Sequence, residues 1–172
     1  MNPRDAAFAA RIFYTTLERL PLLDYTIDRY TKKPVAKLDA PVRAVLRSGL
    51  AQAKYMQVPM SAAVNESVRL TKALGKSSAA GMVNAVLRKA VVTEVHDDDF
   101  AAPLQRLGTY YCLSPAVAKL LYNQYDEEAF AMAAAFYERP ATAIRVNNLR
   151  ATDRAWPASL LPSVWGHSLA RK

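Results

Sequence analysis

The fold is decided by two short segments on either side of Gly75: AAVNESVRLTK at residues 62–72 and AAGMVNAVLRK at residues 79–89. In each segment apolar residues recur at three- and four-residue steps, which is typical of an amphipathic helix. We expect Ser61 to cap the first helix, the glycine to end it in the left-handed conformation, and Ser77 or the next serine to begin the second helix. The short connection makes the two helices antiparallel neighbours that carry basic residues.

Three further helices are predicted before this hairpin. The first has Asn2 as its N-cap and Pro3 at its first position, and the second covers residues 22–30. The third begins after a capping Asp39 and carries an apolar stripe that includes Gly49. Glycine inside a helix costs about 1 kcal/mol relative to alanine, so we expect another backbone to pass close to it, and neutral drift is the alternative.

Two more helices and then a strand are predicted after the hairpin. Ser114, which is followed by a proline, predicts a sixth helix, and Asp126 predicts a seventh. Residues 142–149 then alternate apolar and polar side chains, as a strand does. The prediction is an all-α bundle of about seven helices over residues 1–139. Residues 140–172 then either begin a truncated α/β domain or form an irregular tail.

Charge and composition narrow the class of protein. The 172 residues carry a net charge of +8, with a pI near 9.7, which favours a polyanionic partner. No apolar run approaches the roughly 20 residues that cross a bilayer, and Asp5 lies where a signal peptide would be basic. We therefore predict a cytoplasmic protein with no membrane partner. The single cysteine, Cys112, excludes an internal disulfide and a Cys-rich zinc site.

Residues 39–89 resemble the core of the NusB family. The run DAPVRAVLR at residues 39–47 is similar to the family's third helix, and VNAVLR at residues 83–88 is similar to its fifth. Downstream, LSP at residues 113–115 and the ERP…RVN passage at residues 138–147 resemble one branch in particular. That branch is the amino-terminal part of bacterial 16S rRNA cytosine-5 methyltransferases.

The resemblance implies that RNA binding and catalysis belong to separate domains. In that branch the NusB-like domain helps to hold ribosomal RNA, while a separate Rossmann-type domain binds S-adenosylmethionine and uses a cysteine to attack the cytosine ring. This sequence has five glycines and no glycine-rich turn between a strand and a helix that would hold the cofactor. Cys112 matches no catalytic motif of the family and is interpreted as a structural thiol. The prediction for this chain is no catalysis and no cofactor.

A histidine followed by three aspartates, at residues 96–99, invites a metal hypothesis. Adjacent side chains do not converge on one cation unless the backbone turns tightly, and acidic runs between helices are usually solvated turns. We predict no metal site.

The resemblance also suggests where RNA binds. The predicted RNA-binding residues are Arg4, Arg11, Lys32, Lys33, Arg43 and Arg47. The first two match the arginines that the family uses at the start of its first helix, and they lie about two turns apart on nearly the same face. The other four are predicted to extend a strip of phosphate contacts. Surface charge that serves only solubility is the alternative at each position.

Two functions from different classes follow. The favoured one is the RNA-binding module of an rRNA methyltransferase, which contacts structured ribosomal RNA mainly through phosphates. The alternative is a module similar to the NusB antitermination factors, which regulates transcription by binding a ribosomal protein or another protein partner. An exposed apolar patch would be the physical mark of the alternative. The ERP…RVN passage favours the first, because the stand-alone antitermination factors lack it.

Overall fold

Helices form wherever the apolar residues of this sequence recur at three- and four-residue steps. The structure, a computed structural model, describes residues 2–138, which contain eight α-helices and no strand. The helices are α1 (Pro3–Glu18), α2 (Leu20–Asp28), α3 (Ala40–Tyr55), α4 (Met60–Ala73), α5 (Ala80–Val92), α6 (Pro103–Gln105), α7 (Pro115–Tyr125) and α8 (Glu128–Ala135).

The all-α prediction is confirmed for this part of the chain, with one helix more than the seven expected. The additional helix is α6, which has only three residues and continues as a π-helical segment, Arg106–Tyr110. Segments this short contain no repeat of apolar positions, so periodicity does not detect them.

Several predicted caps are confirmed. The Asn2 side chain accepts a hydrogen bond from the backbone N–H of Arg4 at 3.1 Å and starts α1. Ser114 caps α7 in the same way, through the N–H of Val117. Gly75 has a φ of +73°, the left-handed conformation that ends α4.

Other predicted boundaries are wrong by a few residues. Ser61 does not cap α4, because the helix already begins at Met60. The serines expected to begin α5 form a preceding 3₁₀ turn. Asp126 ends α7 with a positive φ of 44° instead of opening α8. The start of α3 directly after Asp39 is predicted correctly, but the predicted cap is wrong, since the carboxylate binds Lys76 at 2.6 Å and makes no capping hydrogen bond.

The first core cluster lies between α2, α3, α4 and α5. Its fully buried side chains include Leu23 and Ile27 of α2, Leu46 and Leu50 of α3, and Leu87 of α5. The hairpin helices α4 and α5 pack against each other and against α3. This is the hairpin that the sequence predicts, and it forms the centre of the fold.

Gly49 explains how closely α3 and α4 approach. A Cβ atom added to it would lie 2.3 Å from Ser67 Oγ and 3.0 Å from Leu87 Cδ1. The Ser67 hydroxyl is held in place because it donates to the carbonyl of Ala63 at 2.7 Å. The close approach is confirmed, but the nearest atoms belong to the side chains of Ser67 and Leu87 and not, as expected, to another backbone.

A second core cluster joins the π-helical segment to α7 and α8. It consists of buried Leu107, Tyr111, Ala118, Leu121, Ala129, Phe130 and Ala133. The guanidinium of Arg106 lies 4.0 Å from the centre of the Phe130 ring and pairs with Asp97, which also accepts a hydrogen bond from Tyr111. These contacts fix the short turn at residues 97–99.

Helix α1 differs from the others because none of its residues is buried. It lies against α3, yet Phe13 and Tyr14 leave 57% and 68% of their surface exposed. An apolar groove of about 620 Å³ runs beside it and is lined in part by Leu17, Leu70 and Leu74.

The compact unit that contains these helices ends at Tyr137. The predicted strand at residues 142–149 and the proposed second domain lie outside the described residues. None of the helices in the described part of the chain combines the length and apolar character needed to cross a bilayer.

Candidate nucleic-acid interface

The arginines of α1 are presented on its surface. Arg4 and Arg11 are both exposed, and the helix that carries them has no buried residue. A guanidinium has five N–H donors in a planar fork that matches phosphate oxygens. The geometry therefore leaves both side chains open to a polyanion.

The loop between α2 and α3 presents the two predicted lysines. Lys32 and Lys33 are exposed, while Val35, two residues further, is buried in the first core cluster. The Asp28 carboxylate at the end of α2 accepts a hydrogen bond from the Val35 N–H at 2.5 Å. These contacts fix the loop behind the lysines, so their ammonium groups extend from a constrained backbone.

The structure gives Arg43 and Arg47 internal partners. Arg43 Nη1 donates to the carbonyl of Ala36 at 2.7 Å and thus holds the same loop. Arg47 binds both carboxylate oxygens of Asp24, at 2.7 and 2.6 Å, and joins α3 to α2. Their contribution to an RNA surface stays a prediction, since these bonds already explain why both arginines are present.

Lys89 and Tyr30 lie beside the two loop lysines, Lys32 and Lys33, but were not among the predicted site residues. Lys89, near the end of α5, places Nζ 6.0 Å from the centre of the Tyr30 ring. The two residues are 59 positions apart in the sequence. No local pattern joins them, although Tyr30 stands two residues before the lysine pair and this neighbourhood is a weak signal.

Most other cations of the described part are bound within the protein. Ion pairs join Arg29 to Asp99, Arg69 to Glu66, Lys76 to Asp39 and Arg106 to Asp97. The guanidinium of Arg19 lies between two aromatic rings, 5.1 Å from the centre of Tyr55 and 3.4 Å from that of Tyr137. The exposed arginines of α1 and the loop lysines stand apart from this internal network.

The thiol of Cys112 is partly buried. Its Sγ donates to the carbonyl of Thr109 at 3.4 Å, and burial raises the pKa of the thiol. A raised pKa disfavours the thiolate, which is the nucleophilic form. This environment suits the structural thiol that the sequence predicts.

Two of the three aspartates that follow His96 have structural partners. Asp97 binds Arg106, whose hydrogen bond holds the pKa of that carboxyl below its usual range. The Asp99 carboxylate accepts from the backbone N–H of His96 at 3.2 Å. Within residues 2–138 no group of three or more histidine, cysteine or acidic side chains is placed to hold a metal ion.

The described residues do not fit S-adenosylmethionine. A Rossmann-type site needs a glycine-rich turn that leads from a strand into a helix. Between residues 2 and 138 the glycines lie in or beside helices, and the space beside Gly49 is occupied by Ser67 and Leu87.

The comparisons with known proteins agree with the fold. A model of the NusB family matches residues 1–91, more than half of the chain. The small-subunit rRNA methyltransferase B of Xanthomonas campestris is 39% identical over 89 residues, which are 52% of this chain and 20% of that relative. The enzyme of the same name from Pseudomonas putida is 30% identical over 169 residues, 98% of this chain and 38% of the relative.

A third relative also matches most of the chain. The probable small-subunit rRNA methyltransferase B of Synechocystis is 29% identical over 153 residues, 87% of this chain and 34% of that protein. The chain thus spans between a fifth and two fifths of the length of these relatives. No solved structure matches the chain. With its helical fold and the family match over residues 1–91, the chain belongs to the NusB family, and it is similar to the amino-terminal part of rRNA methyltransferase B.

Proposed function

We propose that this chain is an RNA-binding module of an rRNA cytosine-5 methyltransferase, that it contacts structured ribosomal RNA mainly through phosphates, and that it does not catalyse methyl transfer by itself. The observation that carries the proposal is that Arg4, Arg11, Lys32 and Lys33 are exposed and take part in none of the ion pairs found among the described residues. The relatives named as rRNA methyltransferases support the choice of RNA.

The proposal also fits the charge of the molecule. A net charge of +8 attracts polyanions, and each neutralised phosphate releases counterions. Contacts of this kind position the protein on the RNA without reading its sequence. S-Adenosylmethionine belongs to the catalytic part of the relatives in this proposal, and the site of action is the cytoplasm, where bacterial ribosomal RNA is found.

The test is a fluorescence-anisotropy titration of the chain with a small-subunit rRNA hairpin and with an unrelated hairpin of equal length, at two salt concentrations. Four phosphate contacts predict that affinity falls about 50-fold or more between about 50 and 200 mM salt. Preference for the rRNA hairpin together with this salt dependence supports the proposal. No binding to either hairpin at the lower salt concentration contradicts it.

A specific observation favours the second candidate, a protein-interaction module. Phe8, Phe13, Tyr14 and Leu17 of α1 are between 46% and 68% exposed, and Phe13 and Leu17 line the apolar groove. Exposed apolar patches of this kind mark protein interfaces in monomeric folds. Under this candidate the isolated chain binds no hairpin, and RNA binding appears only when small-subunit ribosomal proteins are added. Phe13→Ser then abolishes the response to those proteins.

A further inference from the structure

A small apolar pocket opens between the loop after α2 and the face of α5. Its volume is about 310 Å³, and Leu38, Met82 and Val86 contribute to its apolar lining. This volume lies at the lower end of the ~300–1,000 Å³ range of small-molecule pockets. The pocket therefore suits a ligand with one flat ring system and is small for a peptide segment.

One wall of the pocket is an aromatic ring that is fixed in position. The Tyr30 hydroxyl lies 2.6 Å from Thr93 Oγ1, and the Thr93 hydroxyl donates its own hydrogen to the carbonyl of Lys89 at 2.8 Å. Tyr30 is therefore the donor of the first bond, since a hydroxyl has a single hydrogen. This bond holds the Tyr30 ring against the end of α5.

The rim of the pocket is positively charged. Lys32 and Lys33 from the loop and Lys89 from α5 all line it, and none of its described lining residues is acidic. Lysine keeps its ammonium group in water while its methylene groups cover apolar surface. The result is an apolar interior with an aromatic wall, surrounded by three cations.

We propose that this pocket binds the base of one unpaired nucleotide of the RNA, with the adjoining phosphates held by Lys32, Lys33 and Lys89. Unpaired bases bind proteins by stacking on aromatic side chains, while the negative charge of the strand follows the basic groups beside them. A nucleotide combines a flat ring with phosphates on either side, and this pocket has the complementary arrangement. The inference rests on the proposed function, and it adds a contact with a base to contacts with phosphates.

The experiment is an abasic scan of the small-subunit rRNA hairpin, in which each loop nucleotide is replaced in turn by an abasic residue that leaves the phosphates in place. With the unmodified protein, one loop position loses affinity by about tenfold in anisotropy titrations, as expected for the loss of one stacked base. The other positions bind as the intact hairpin does.

Protein variants locate that base. Ala85→Phe, at an exposed position on the edge of the pocket, fills the space and weakens binding of the intact hairpin by about tenfold. The affinity of this variant does not fall further when the critical nucleotide is abasic. Ala62→Phe, the same change at an exposed position of α4, is the matched control and binds like the unmodified protein.

Two variants of the aromatic wall separate stacking from folding. Tyr30→Ala lowers the affinity for the intact hairpin as much as Ala85→Phe does, by about tenfold. Tyr30→Phe keeps the stacking ring and loses only the hydrogen bond to Thr93, so it lowers the affinity less than Tyr30→Ala does. Circular dichroism establishes that each variant is folded.

The two proposals fail in distinguishable ways. If all abasic hairpins bind as tightly as the intact one and Ala85→Phe binds normally, the pocket holds no base, although salt-sensitive RNA binding still supports the proposed function. If the abasic replacement lowers the affinity of Ala85→Phe as much as it lowers that of the unmodified protein, the base lies elsewhere. If the unmodified chain binds no hairpin, both proposals are overturned.

Discussion

Helices α3 and α1 have the same length and similar amphipathic sequences, yet they have opposite environments. Helix α3 buries Leu46, Leu50 and Ala51 completely between its neighbours. Helix α1 lies on the outside of the bundle and buries none of its residues, although Phe13 and Leu17 give it an apolar face. An apolar stripe thus predicts a helix, but it does not predict whether that helix is held by the core.

The difference has a physical origin and a functional consequence. Helix α3 contacts α2, α4 and α5 as well as α1, so its side chains are enclosed from several directions. The apolar residues of α1 face an open groove. Residues on α3 should therefore determine stability, whereas residues on α1 are available for binding.

The largest expected difference is between leucines of the two helices. Leu50→Ala in α3 removes a fully buried side chain and should lower the free energy of unfolding by about 2–5 kcal/mol. Leu17→Ala in α1, where the leucine is 51% exposed, should change it by about 0.5 kcal/mol. Urea denaturation followed by circular dichroism measures both. Equal losses would show that α1 is as much part of the core as α3.

The second comparison uses two glycines. Gly49→Ala places a methyl group against Ser67 and Leu87 and should destabilise the protein by about 1–3 kcal/mol. Gly81→Ala in α5 meets nothing within 4 Å and should stabilise it by about 0.4–1 kcal/mol. Opposite signs in the same denaturation assay are the expected result. A stabilising Gly49→Ala would mean that α3 and α4 separate easily.

A smaller effect is expected from the arginines. Arg47→Ala breaks the bidentate hydrogen bond to Asp24 between α3 and α2 and should lower the free energy of unfolding by about 1–2 kcal/mol. Arg69→Ala removes an exposed pair with Glu66 within α4 and should cost about 0.5 kcal/mol or less. If Arg47→Ala leaves the unfolding curve unchanged but weakens RNA binding, this arginine is a contact residue, as the sequence first predicted.

The smallest effect concerns pH. Arg106 lowers the pKa of Asp97 in the folded state, so this carboxylate contributes stability above its unfolded pKa of about 3.9 and loses it as pH falls through the lower folded value. Asp97→Asn should reduce the acid sensitivity of unfolding below about pH 4 and affect α7 and α8 more than α3. Identical pH profiles for the two proteins would contradict this role.

The sequence identifies the central helices because their apolar periods are long and regular. Helix α6 and the π-helical segment escape prediction because they are too short to repeat. The boundary at Asp39 is predicted correctly for the wrong reason, since its carboxylate binds Lys76 from a distant loop. Local propensity does not contain such contacts.

The features of the candidate site likewise differ in whether the sequence predicts them. Exposure of Arg4, Arg11 and the loop lysines follows from local pattern, because a polar break and the start of a helix are usually on the surface. The pairing of Arg47 with Asp24, 23 residues earlier, depends on how α2 packs on α3. The pocket between Tyr30 and Lys89 depends on the same tertiary packing, so neither was visible in the sequence.

The most direct test of the account is the double variant Arg4→Ala/Arg11→Ala, measured by RNA titration at several salt concentrations and by urea denaturation. We expect weaker binding to the rRNA hairpin, a salt slope smaller by about 2, and an unchanged free energy of unfolding. RNA affinity and salt slope equal to those of the unmodified chain would contradict the claim that α1 is a binding surface for RNA.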